Sequence, residues 1–105
     1  MAWTFLIVAG FLEIFWAVSL RYTDGFTNIS WGIVTILSGL ASFYCLAQAI
    51  KTIPIGTGYA VWTGIGAAGT AILGVLLFAE SAALLRLACL GLIIAGIIGL
   101  KLTST

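Results

Sequence analysis

Four long apolar runs, separated by short segments that carry almost all the charge, constrain this chain more than any other feature. Hydrophobic residues make up 63% of the sequence and charged residues 7%, whereas about one quarter of an ordinary globular chain is charged. A soluble domain of 105 residues has too little interior to bury this much apolar surface. The sequence therefore predicts an all-α membrane protein, in which residues 1–105 form a single domain of four transmembrane helices.

The boundaries of these helices follow from the length that a bilayer requires and from turn residues. A helix needs about 20 apolar residues to cross the hydrocarbon core. Pro54 can end one helix and begin the next, and Ser81 is a candidate N-cap for the last helix. The predicted spans cover residues 2–20, 29–50, 55–79 and 84–102.

The positive charges do not assign an orientation to these spans. With alternating spans, Arg21 and Arg86 lie on one side of the membrane, and Lys51 and Lys101 lie on the other. This two-against-two count leaves two alternatives open. Either the chain has a weak orientation bias that the count does not resolve, or it has dual topology, in which copies insert in both orientations. Four helices are too few to enclose and gate a pathway, and two copies in opposite orientations would supply the symmetry that larger transporters obtain from inverted repeats.

Glu13 is the one carboxylate inside a predicted span. It lies about 16 Å from the start of the first span, close to the bilayer midplane. An ionised side chain there costs roughly 2.5 to 3.5 kcal/mol on insertion scales, and no Lys or Arg lies deep enough to neutralise it. Glu13 must therefore be protonated, hydrated or paired with a cation. A transporter that exchanges protons for cations uses all three states, and a neutral Glu hydrogen-bonded between helices is the alternative.

Aromatic and hydroxyl side chains at comparable depth indicate what such a site would bind. Trp16 lies one turn from Glu13 on the same helix face, Tyr59 and Trp62 share a face of the third span, and Ser42 lies on a small polar stripe of the second. A carboxylate supplies charge, aromatic rings supply cation–π surface, and a hydroxyl can orient the acid. The pattern favours a site for an organic cation, with ordinary packing as the alternative for each ring.

Small residues in the last two spans indicate helix contacts and a hinge. Gly91, Ala95 and Gly99 recur every four residues and form a ridge that permits close approach of another helix, either within the chain or in a dimer. Gly64 and Gly66 are predicted to weaken the third helix and act as a hinge beside the aromatic face.

Several functions are excluded by what the sequence lacks. It contains no His, its two Cys lie in apolar runs without metal-ligand spacing, and its net charge is +1. We therefore expect no enzyme activity, no metal, no cofactor and no nucleic-acid partner. The stretch 64–69 matches G-x-G-x-x-G but lies inside an apolar span, without the preceding strand that a dinucleotide site requires.

Across essentially its whole length, the chain resembles the small multidrug resistance transporters. The resemblance is carried by the length, the four spans and these elements: Glu13, Gly25-Phe26, the segment 54–66 and the segment 96–101. It implies an antiparallel, dual-topology homodimer in the bacterial cytoplasmic membrane that exchanges protons for a cationic substrate. It further implies that both copies of Glu13 bind protons and substrate competitively, that Tyr59 and Trp62 contact substrate, and that Ser42 hydrogen-bonds to the acid.

Within that family the segment 13–17, with Trp16, and Lys101 resemble the guanidinium-exporter branch. The implied function is proton-coupled export of guanidinium, a planar cation that pairs with carboxylates and stacks on rings. The chain departs from the branch at Gly39, where a bulkier residue is common, and this leaves room for substituted guanidines or other hydrophobic cations. The alternatives are a quaternary-ammonium exporter of the same family, a rotary-ring proteolipid, which would place its acid on a later helix, and a non-transporting assembly subunit.

Overall fold

The computed structural model describes residues 1–103 and consists of four antiparallel helices. Each of the four is long and apolar enough to cross a membrane, which confirms the predicted fold class of four transmembrane helices. They start at the first residues of the predicted spans and end within two residues of the predicted last ones. The helices are α1 (Ala2–Tyr22), α2 (Ile29–Ala49), α3 (Ile55–Phe78) and α4 (Leu84–Thr103).

The helix ends are defined by local hydrogen bonds. The Asn28 side chain caps α2 by accepting from the Trp31 backbone N–H at 3.2 Å. Helix α3 ends at Ala79, whose φ of 54° is left-handed and turns the chain so that the Glu80 N–H donates to the Gly74 carbonyl at 3.2 Å.

The predicted N-cap role of Ser81 is wrong. Its hydroxyl accepts from the Ala83 N–H at 3.2 Å, and α4 begins only at Leu84. Ser81 therefore stabilises a turn before the helix instead of satisfying an N–H group of the first helical turn.

Helix α1 lies between α2 and α3, and α4 packs mainly against α3. The core lies towards the end of the bundle that holds the α2–α3 loop. It consists of Leu6, Ala9, Ala49, Ile53, Val61 and Trp62. Because α2 and α3 barely touch, α1 is the element that holds the other two together.

Glycines let α1 and α3 approach almost to backbone contact. A Cβ built at Gly10 would lie 2.8 Å from the Cβ of Ile65, and one at Gly69 would overlap the side chain of Ile14. A larger residue at Gly10 would have to displace Ile65, and one at Gly69 would have to displace the end of the Ile14 side chain. This close approach brings the α1 side chains at mid-span directly onto the α3 backbone.

Helix α4 has no buried residue within the described chain. It contacts α3 where Ile97 lies against Gly64, and the Lys101 Nζ lies 5.1 Å from the centre of the Trp3 ring. A Cβ built at Gly91 or at Gly99 would meet nothing within 4 Å. The small ridge on α4 therefore faces away from the other three helices.

Candidate functional site

Glu13 lies at the interface of α1 and α3, and its carboxyl group rests on Gly66. A Cβ at position 66 would overlap the Oε1 atom of Glu13, so the side chain occupies the space that glycine leaves. Its Oε2 atom is buried and has no hydrogen-bond partner within residues 1–103. Within residues 1–103, Arg86 forms an ion pair with Glu80 and not with Glu13. The carboxyl group is thus able to accept a proton or a cation.

Beside it, one hydrogen-bonded chain links three helices. The Trp62 indole Nε1–H donates to the Ser42 Oγ at 2.9 Å, and the Ser42 hydroxyl donates to the Ala9 carbonyl at 2.7 Å. All three residues are buried. Since α2 and α3 have few other contacts, this chain orients the Trp62 ring relative to both α1 and α2.

In this conformation Ser42 is not the hydrogen-bond partner of Glu13 that the family resemblance implies. Its single hydroxyl proton is donated to the Ala9 carbonyl, and one lone pair accepts from Trp62. The physical reason is that a hydroxyl group has one proton to donate, and the Ala9 carbonyl, one helical turn before Glu13 on α1, takes it.

Aromatic rings extend from Trp62 to the edge of the bundle. The centre of the Tyr59 ring lies 5.7 Å from that of Trp62, and the centre of the Phe43 ring lies 5.5 Å from that of Trp62. Trp62 is 8% exposed, whereas Tyr59 is 58% exposed. The three rings form a continuous surface of the kind that cations bind. This surface is exposed at Tyr59 and buried at Trp62.

Trp16 lies against α2 and contributes to a different surface. A Cβ at Gly39 would lie 3.9 Å from the Cγ of Trp16, and the Trp16 Nε1 is buried without a partner within the described residues. The two residues line an apolar groove of about 270 Å³, to which Phe43 also contributes. Phe43 therefore connects the Trp16 surface with the Trp62 rings.

The family of this chain is shown by its similarity to known proteins. The family model described as Small Multidrug Resistance protein matches residues 1–93. The chain belongs to the small multidrug resistance family. It is similar to a protein named guanidinium exporter from Yersinia pseudotuberculosis, with 57% identity over 99% of this chain and 100% of the relative. It is 55% identical to guanidinium exporters from Citrobacter freundii and Salmonella typhimurium, over 99% of this chain and 99% of each relative.

As a small multidrug resistance protein, the chain is an integral multi-pass protein of the bacterial inner membrane, and membership in this transporter family agrees with its non-enzymatic interpretation. The five predicted site residues fall into three places in the structure. Glu13 lies on Gly66, Trp16 lies against α2, and Ser42, Tyr59 and Trp62 meet in one cluster.

Phe43 is the residue that sequence reasoning missed. It follows Ser42 directly, and on a helical wheel that step of 100° places it on the lipid-facing side. It is 52% exposed, yet its ring reaches Trp62. The sequence signal that could have identified Phe43 was its large aromatic side chain at the same membrane depth as Ser42.

The two glycines predicted as a hinge have other visible roles. Helix α3 is continuous from Ile55 to Phe78. Gly66 accommodates the Glu13 carboxyl group, and a Cβ at Gly64 would lie 2.8 Å from the Cδ1 of Ile97 on α4. Close approach therefore accounts for both glycines, and the hinge stays a prediction.

Proposed function

We propose that this chain is a proton-coupled exporter of guanidinium that works by alternating access around Glu13. The observation that carries the proposal is the carboxyl group of Glu13, placed inside the bundle with a buried oxygen that has no partner within residues 1–103. An acid at this depth is costly unless it binds something. Proton and cation are the two ligands that satisfy it.

Guanidinium fits the surfaces around this acid. Its planar edge of N–H donors forms paired hydrogen bonds with a carboxylate, and its faces stack on aromatic rings. Tyr59, Trp62 and Phe43 offer such rings. Relatives 55–57% identical to this chain over almost its full length are named guanidinium exporters, which supports the choice of substrate.

Proton coupling follows from competition for one carboxylate. A proton on Glu13 removes the negative charge that holds guanidinium, and bound guanidinium excludes the proton. If only the two occupied forms of Glu13 change their exposure from one side to the other, the inward proton gradient drives guanidinium outwards.

We further propose an antiparallel homodimer with two copies of Glu13 at the shared site. Large apolar side chains such as Leu76, Leu84 and Leu92 are more than two-thirds exposed, at 71%, 84% and 73%. The α4 ridge is free to contact a second α4. The balanced Lys and Arg count permits both orientations in one membrane.

The proposal is tested with purified protein reconstituted into liposomes on a supported membrane. Guanidinium is added under a defined pH gradient and the capacitive current is recorded. Glu13→Gln keeps the size of the side chain and removes its ionisation, and Asp24→Asn, in the first loop, removes a carboxylate outside the membrane. We expect a current in the unmodified protein and in the loop variant, and none in Glu13→Gln.

The alternatives predict different currents. Current with tetrapropylammonium but none with guanidinium would assign the chain to quaternary-ammonium export, which the groove beside Gly39 would accommodate. Absence of current with both cations would favour a non-transporting assembly subunit. Current that persists in Glu13→Gln would overturn the role of this acid.

A further inference from the structure

A second groove leads from the neighbourhood of Glu13 to the membrane surface that carries the first and third loops. It lies between α1 and α3 and has a volume of about 550 Å³. Its inner end lies at Ala17 on α1, one helical turn beyond Glu13, and at Ala67 on α3, directly after Gly66. Small side chains along both helices leave this space unfilled. They are Ala17, Ala67, Ala71 and Gly74.

Thr70 is the residue with a hydroxyl group among those that line the groove. This hydroxyl is buried and has no hydrogen-bond partner within residues 1–103. Hydroxyl groups inside helices usually donate to a carbonyl one turn earlier, as the Thr35 and Ser38 hydroxyls do at 2.9 and 2.7 Å. Thr70 differs from both, because its buried hydroxyl has no partner within residues 1–103 and could bond to a ligand only after the side chain turns towards the groove.

The Glu80 carboxyl group lies at the outer end of the groove. The left-handed residue Ala79 turns the chain so that the Glu80 carboxyl group covers Gly74, where a Cβ would overlap it. The Arg86 Nη2 lies 2.8 Å from the Glu80 Oε1, and the two side chains are 34% and 41% exposed. An ion pair at such exposure is weak and exchanges readily with ions from water.

The partner of Glu80 is itself a guanidinium group. A free guanidinium ion presents the same planar donors and competes with the Arg86 side chain for the same carboxylate oxygens. On the opposite wall, the Arg21 guanidinium carbon lies 4.8 Å from the centre of the Phe78 ring. Arg21 is thereby held at the wall of the groove by the ring.

We propose that guanidinium travels along this groove between water and Glu13, replacing Arg86 on Glu80 at the outer end and donating to the Thr70 hydroxyl on the way. This inference rests on the proposed function and adds the route and its two binding steps. Thr70 and Glu80 are then specificity residues for guanidinium: each accepts N–H donors, which quaternary ammonium ions lack.

The first test compares Thr70→Val, which keeps the shape and removes the hydroxyl, with Thr70→Ser, which keeps the hydroxyl. Equilibrium binding of guanidinium is measured by tryptophan fluorescence, and transport is measured by supported-membrane current. We expect Thr70→Val to lower the maximal guanidinium flux about tenfold, as for one lost hydrogen bond to a charged ligand, with equilibrium affinity changed less than twofold. Thr70→Ser restores the flux. Equal flux in all three proteins overturns the role of Thr70.

A second test does not depend on the folding of that variant. Ala71 lines the groove, and Ala41 on α2 is exposed outside it. Each is replaced by Cys in a background with Cys45 and Cys89 changed to Ala, and a membrane-impermeant cationic methanethiosulfonate is added from the aqueous side. We expect rapid labelling at Ala71→Cys that guanidinium slows, and no guanidinium effect at Ala41→Cys.

The outcomes separate this inference from the proposed function. Transport by the unmodified protein together with an unlabelled or unprotected Ala71→Cys refutes the route and leaves the exporter intact. Absence of guanidinium current in the unmodified protein refutes the exporter first, and the route with it. Protection by guanidinium but not by tetrapropylammonium supports the donor-selective step at Thr70 and Glu80.

Discussion

Replacing Gly66 with Ala is expected to separate the function of this protein from its stability. The new methyl group would overlap the Glu13 carboxyl group and would lie 2.8 Å from its Cγ. The three atoms nearest to this methyl group all belong to Glu13, so the Glu13 side chain must rotate away from α3. The substitution therefore moves the acid without removing it.

The magnitudes explain why stability changes little. Ala is favoured over Gly inside a helix by about 1 kcal/mol, whereas forcing a side chain out of a packed site costs about 1–3 kcal/mol. The two effects oppose each other and leave a net destabilisation of about 0–2 kcal/mol. A displacement of about 1 Å at a binding group can lower the rate about 100-fold, so the loss of guanidinium transport is expected to be far larger than the loss of stability.

The matched control is Gly56→Ala, on the same helix, where a Cβ would meet nothing within 4 Å. Thermal unfolding in detergent, followed by circular dichroism, reports stability, and supported-membrane current reports transport. We expect both variants to unfold within a few degrees of the unmodified protein and only Gly66→Ala to lose transport. Equal guanidinium flux in the two variants would refute the argument that Gly66 positions Glu13.

Three further predictions follow from the same contacts. Ser42→Ala leaves the Trp62 N–H buried without an acceptor and should destabilise the fold by about 1–2 kcal/mol. Its unfolding temperature should be lower than that of Ser30→Ala, a control at an exposed position, and an unchanged temperature would show that the three-helix hydrogen-bonded chain contributes nothing to stability. The half-saturating guanidinium concentration should rise as pH falls, by up to about tenfold per pH unit for one competing proton. It should be constant at high pH, where the carboxylate is fully ionised, and a value that does not depend on pH at all would contradict competition at Glu13. Gly91→Leu on the α4 ridge should weaken dimerisation, measured by cross-linking in liposomes, without unfolding the monomer; an unchanged dimer fraction would place the interface elsewhere.

The sequence by itself determined the number of helices and singled out Glu13 as the candidate binding group. Both follow from the bilayer as a solvent: apolar runs of 20 or so residues must become helices because lipid offers no hydrogen bonds to an open backbone. A lone Glu inside such a run is costly, so its presence alone marks Glu13 as a candidate binding group. The helices begin at the first residues of the predicted spans for the same reason, because charged and turn residues collect where the bilayer ends.

Only the tertiary structure decided which side chains meet. Helical periodicity places Ser42 and Trp62 on faces, but it does not specify the rotation and crossing of the helices that carry them. The bundle bonds Ser42 to the Ala9 carbonyl and not to Glu13, and it brings Phe43 to Trp62 although their sequence positions predict no contact. The glycines that look like a flexible hinge in the sequence are sites of close packing in the fold, because Gly66 lies against the Glu13 side chain of α1 and Gly64 lies against Ile97 of α4.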